Sequence, residues 1–140
     1  MKMQEAIERE DFALCGMNCI LCYRHLQGKH PCPGCSEEGM GRPISCQRCN
    51  ILACSKERDN PCRDCPDFPC VWHWNLDRRY RRRYQISLIR RNERARTDGV
   101  LAVLREDRER WRCNCGGIID IQDRVCSECG AVYPASPDLT

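Results

Sequence analysis

Eleven cysteines fall within the 56 residues from Cys15 to Cys70, and four more follow further along the chain. The first three, Cys15, Cys19 and Cys22, are spaced C-x3-C-x2-C. Three C-x2-C knuckles follow, Cys32 with Cys35, Cys46 with Cys49, and Cys62 with Cys65, while Cys54 and Cys70 stand alone. Apart from cysteine, the large apolar residues here are Met17, Ile20, Leu21, Tyr23, Leu26, Met40, Ile44, Ile51, Leu52 and Phe68. So few oily side chains cannot order a segment of this length by burial alone. Cross-links of some kind must hold it.

The cross-links are expected to be metal ions rather than disulfides. The opening residues, MKMQEAIERED, hold no apolar signal region, and no run approaches the roughly 18 apolar residues of a membrane span. The expectation is a cytoplasmic chain with no membrane segment, and there dense cysteine pairs act as metal ligands. The total of 15 cysteines is odd, which leaves a closed disulfide set incomplete. The segment is therefore expected to be unfolded without metal.

Pro-Gly between Cys32 and Cys35 gives a tight turn that aims both sulfurs at one ion, and Gly16 serves the first motif in the same way. A working partition puts Cys19, Cys22, Cys32 and Cys35 on one metal and Cys46, Cys49, Cys62 and Cys65 on a second. Cys15, Cys54, Cys70 and His73, the last from a C-x2-H pair, form a third set. Interleaved pairings remain open. His25 and His30 read as surface residues. Zinc is favoured by the knuckles and their glycine turns, with an iron–sulfur cluster as the alternative, since both accept four thiolates.

Cys113, Cys115, Cys126 and Cys129 form the sharpest motif. Two pairs, each followed by glycine and separated by ten residues, give four thiolates for a closed tetrahedral site, the pattern of a zinc ribbon. Ile118, Ile119, Ile121 and Val125 suit short hairpin strands between the knuckles. With the N-terminal sets this makes three or four zinc sites.

From Val71 to Arg112 cysteine disappears and helix formers take over. Leu76, Tyr80, Tyr84 and Leu88 recur every four residues, and Val100, Leu101, Leu104 and Trp111 mark a second stripe beyond Thr97-Asp98-Gly99. The predicted elements are a short helix over Gln4–Glu10 and a hairpin of helices over 72–96 and 99–110. The expected architecture is a small, metal-stabilised, irregular α+β fold. It comprises an N-terminal multi-zinc knuckle domain (1–71), an arginine-rich helical hairpin (72–110), a zinc ribbon (111–134) and a disordered tail (135–140).

Together these residues resemble DUF3795, a bacterial and archaeal family of cysteine-rich proteins. The resemblance runs through Cys15-Gly16-x-x-Cys19-x-x-Cys22, Cys32-Pro33-Gly34-Cys35, Cys46-x-x-Cys49, Cys62-x-x-Cys65 with Phe68-Pro69-Cys70, the region from Asn92 to Gly99, and Trp111-x-Cys113. It implies a zinc-binding protein and brings no assigned activity. The C-x-C at Cys113 and Cys115 and the density of arginine depart from the family pattern.

Arginine outnumbers lysine 20 to 3, and 13 of the arginines lie between Arg78 and Arg112. Arg78, Arg79, Arg81, Arg82 and Arg83 are interleaved with Tyr80 and Tyr84, and Arg90 and Arg91 extend the charge. Such a helix suits phosphates or an acidic protein surface. The tyrosines continue the apolar stripe and read as core. No Ser-His-Asp set, H-E-x-x-H or phosphate loop is present, so the sequence points away from a hydrolase. The leading expectation is a zinc-binding, non-enzymatic interaction module for nucleic acid or an acidic protein. The alternative is an iron–sulfur or thiol redox, metal-handling protein.

Overall fold

The computed structural model describes residues 1–6, 8–26, 31–34, 46, 49–58 and 61–134, with backbone alone for 55–58. Cys35, His30, residues 36–45 and the segment 135–140 expected to be a disordered tail lie outside these. Among the described residues four helices are given in full: α1 Asn50–Arg58, α2 Val71–Tyr84, α3 Leu88–Asp98 and α4 Val100–Arg110. Single 3-10 turns occur at Arg9–Asp11, Cys19–Leu21 and Cys62–Asp64.

The long helix expected over 72–96 is two helices. Gln85 takes a left-handed conformation (φ 57°) that ends α2, and the Ser87 hydroxyl accepts from the Arg90 N–H to cap α3. Asp77, on the inner face of α2, holds the joint. Its carboxylate accepts from the Ser87 hydroxyl at 2.8 Å and the Ile89 N–H at 3.0 Å. Arg124 closes the other side, donating to the Tyr84 carbonyl at 2.6 Å. A cation at the C-terminal end of a helix meets the negative pole of its dipole.

The leader helix is likewise replaced by the turn at Arg9–Asp11. Both ends of this stretch are pinned elsewhere: the Met3 N–H donates to the Gly116 carbonyl at 2.9 Å, and Phe12 bridges to Asn18.

Among the described residues, β structure is limited to isolated antiparallel bridges, including Arg112 with Ile118, Ile119 with Cys126 and Val125 with Val132. The predicted hairpin strands therefore shrink to single pairings. Asp120 draws the backbone N–H groups of Asp123 and Val125 onto its carboxylate, and Arg124 adopts φ 59°, so the chain turns where a strand would extend.

One core draws on both ends of the chain. Met3, Ala13, Met17, Cys19 and Leu21 pack with Ile86 and Leu88 and with Trp111, Cys113, Ile118, Ile119, Ile121 and Cys126. The Ile121 N–H donates to the Leu21 carbonyl at 2.9 Å, tying the two cysteine-bearing segments directly. Boundaries at 71 and 110 thus do not separate independent cores. A smaller cluster of Phe12, Ala95, Val100, Val103 and Leu104 joins α3 to α4. Among the described residues no helix is long and apolar enough to cross a membrane.

Candidate metal centre

The sulfurs of Cys113, Cys115, Cys126 and Cys129 all lie within 4.8 Å of one another. Cys113 and Cys129 are 3.6 Å apart, and Cys115 and Cys126 are 3.5 Å apart. Four thiolates around one ion at a zinc–sulfur distance of ~2.3 Å would stand about 3.8 Å apart, so the group could hold a metal ion. The observed separations are far longer than the ~2.05 Å of a disulfide.

The backbone builds this group. The Gly117 N–H points at Cys115 Sγ and the Glu128 N–H at Cys126 Sγ, each at 3.4 Å. Such N–H groups stabilise thiolate charge. A Cβ at Gly117 would lie 2.6 Å from Cys126 Sγ and 2.8 Å from Glu128 Cβ. Only glycine lets the second knuckle approach this closely. Gly116 and Gly130 turn with positive φ just after each pair.

Electrostatics separates Cys113, Cys126 and Cys129. The Tyr133 hydroxyl, 3.0 Å from Cys113 Sγ, together with the Cys115 backbone brings Cys113 down to about 6. At Cys129 the Ala131 N–H favours the thiolate, but the sulfurs of Cys113, Cys115 and Cys126 outweigh it and push Cys129 up to about 11. Burial disfavours the Cys126 thiolate, and the Cys129 and Glu128 N–H groups overcome it, leaving that thiol below its ordinary value. Four sulfurs this close resist ionising together, and a cation removes the conflict.

The N-terminal thiols are arranged differently. Cys62 is pushed up to about 11, by burial first and then by Cys70, Cys54, Cys65 and Cys49. Cys54 and Cys70 therefore lie near the Cys62–Asp64 turn. Burial also raises Cys22, with Cys32 as a thiol neighbour, while Gln122 Nε2 donates to Cys22 Sγ at 3.5 Å. Cys19 Sγ lies 4.0 Å from where a Cβ on Gly34 would sit, so the first motif faces the Cys32 turn. Among the described residues, three or more ligand atoms meet within 4.8 Å only in the C-terminal group. Cys35 is outside that comparison, and Cys46 and Cys49 are described without Gln47 and Arg48 between them.

His73 is 1 % exposed and sits inside the fold. Its Nε2 is 3.3 Å from Asn92 Nδ2, and its ring meets Phe68 edge-on at 5.0 Å. Burial holds its pKa below the ordinary value. The Leu14 and Cys15 backbone favours the charged ring without reaching hydrogen-bond geometry at Nδ1.

Of the arginines singled out, Arg78, Arg79, Arg81, Arg82, Arg83 and Arg90 are exposed. Arg81 pairs with Asp77 one turn earlier, at 2.8 Å. Arg91 is a correction. It is 3 % exposed, and its guanidinium is taken up by Asp107 and the Gly16 carbonyl, so it belongs to the interior.

Sequence reasoning missed Tyr133, Gly117 and Gln122. Tyr133 follows Cys129 by four residues, and an aromatic hydroxyl just past a knuckle was the available signal. Nothing local marks Gln122 as a partner of Cys22. Set against family models, curated proteins and solved structures, the chain finds no match in any of the three.

Proposed function

We propose that this chain is a zinc-binding, non-enzymatic interaction module. Cys113, Cys115, Cys126 and Cys129 hold one Zn2+ as a ribbon-type structural site, and α2 offers arginines to an anionic partner, nucleic acid or acidic protein. The observation that carries the reading is the closed set of four sulfurs. Catalytic zinc keeps a position open for water or substrate, and four thiolates leave none. The ion would supply folding energy, because Cys113 and Cys126 belong to the core itself.

For the partner, the support is charge. Among the described residues no ion pair engages Arg78, Arg79, Arg82 or Arg83, and all four face solvent. Further zinc sites among the N-terminal thiols, to a total of three or four, belong to the same reading.

Elemental analysis of protein purified without oxygen tests it. Zinc at one or more equivalents, lost by one equivalent in Cys126→Ser, is expected. Iron with acid-labile sulfide and a visible thiolate-to-iron absorption would replace the zinc reading with the iron–sulfur one. Failure to bind any polyanion at low salt would remove the partner half.

A further inference from the structure

Among the described residues the exposed large hydrophobics are Met1, Val71, Trp72, Trp74 and Val132. Three of these five sit together in the first turn of α2, with Trp72 42 % and Trp74 48 % exposed. Trp111, by contrast, is buried in the core at 3 %. Two half-open indoles on one turn need an explanation, because large aromatic side chains left partly in water forfeit a large share of their burial energy.

The helix places them beside the arginines. Residues three and four apart share a face. Trp74 is followed on its side by Arg78 and Arg81, and Trp72 by Arg79 two turns on. The opposite face of α2 is taken: His73 and Asp77 are buried there, and Leu76, Tyr80 and Tyr84 pack on the core. The free half of α2 thus carries one indole at each of its two edges in the first turn, since residues two apart project about 200° from each other, and arginines along the turns that follow.

We propose that this face binds single-stranded nucleic acid, with Trp72 and Trp74 stacking on bases while Arg78, Arg79, Arg82 and Arg83 hold the phosphates. The proposal rests on the polyanion half of the preceding reading and names its partner class. Stacking plus cations is the chemistry of sequence-tolerant single-strand recognition. A duplex hides its base faces and would use only the arginines. An acidic peptide would likewise satisfy the arginines but offers the indoles no flat ring. A lipid surface requires an amphipathic helix with a free apolar face, and that face of α2 is buried.

The experiment is a set of anisotropy titrations of the full chain, loaded with its metal. The probes are a labelled single strand of about 12 nucleotides, the matching duplex, heparin and poly-glutamate. The expected result is single-strand affinity about tenfold above duplex, with indole emission quenched on binding. Trp72→Ala and Trp74→Ala should each weaken the single strand about tenfold and leave heparin unchanged. Trp72→Phe should restore most of the loss. Arg82→Ala with Arg83→Ala should weaken every anion and flatten the salt dependence. Far-ultraviolet circular dichroism and metal content show that each variant is folded. Equal affinity for single strand, duplex and heparin, indifferent to the tryptophans, overturns the proposal and leaves the polyanion reading standing. Tryptophan-dependent binding of poly-glutamate without oligonucleotide binding overturns it in favour of a protein partner. No binding to any of the four removes the underlying reading as well.

Discussion

Arg91 and Asp107 form a two-pronged ion pair inside the protein, Nη1 to Oδ1 at 3.0 Å and Nη2 to Oδ2 at 2.5 Å. Their side chains are 3 % and 5 % exposed. Arg91 Nε also donates to the Gly16 carbonyl at 2.7 Å, and Asn18 donates to Asp107 at 3.2 Å. One guanidinium thus locks α3, α4 and the first cysteine motif together. Removing either partner strands a charge away from water. Arg91→Ala or Asp107→Ala should each cost about 3–5 kcal/mol, while the paired replacement Arg91→Met with Asp107→Leu should cost clearly less than either single change. Urea unfolding of the three variants checks this.

Gly16→Ala should be among the most damaging single-methyl changes. Gly16 has φ +101°, and a Cβ there would lie 2.6 Å from the Leu88 carbonyl oxygen. Left-handed strain alone costs about 1–3 kcal/mol, and the clash with α3 adds to it. The expected readout is a lowered unfolding midpoint with unchanged zinc in the C-terminal site of whatever protein remains folded.

Gly117→Ala acts on the metal instead. The added carbon would meet Cys126 Sγ at 2.6 Å, forcing the second knuckle away from the first. Metal affinity should fall at least about tenfold, the scale seen when the surroundings of a metal ligand are disturbed. Competition with a chromophoric chelator measures it. Chelation of the wild-type protein should shift Trp111 emission to the red, since that ring packs in the same core as Cys113 and Cys126.

His73 predicts a pH effect. Burial holds its folded pKa below the ordinary 6.5, so between the two values the unfolded chain binds more protons. Stability is then complete above about pH 6.5 and falls as the pH drops below it toward the folded value. His73→Gln keeps a polar contact to Asn92 and carries no titrating group. Urea midpoints taken from about pH 7.5 down to about pH 5 should fall less steeply in this variant than in wild type.

The C-terminal sulfur group was legible because its members come in two local pairs, Cys113 with Cys115 and Cys126 with Cys129, spaced as one ion would require. The N-terminal partition was not. Which of those thiols meet is decided by contacts such as Ile121 with Leu21 and Gln122 with Cys22, which join residues 100 apart and leave no local trace.

The break after Tyr84 escaped because Gln85-Ile86-Ser87 contains neither glycine nor proline, and left-handed glutamine is uncommon. Arg91 looked like its exposed neighbours. Its signal lay elsewhere, in Asp107. That residue continues the Val100, Val103 and Leu104 stripe at helical spacing, and an acid on an apolar stripe calls for a buried cation. Asp77 sits on the inner stripe of α2 in the same way.

The bond between Ile121 and Leu21, with the core around it, also sets the order of events at the ribosome. Residues 13–26 are made about a hundred residues before their packing partners at 111–126. Pairings between such distant parts form slowly and leave surface open meanwhile. A nascent chain would therefore carry its first cysteine motif uncovered while the intervening residues are made, its thiols within reach of competing metals or oxidants until residues 111–126 arrive.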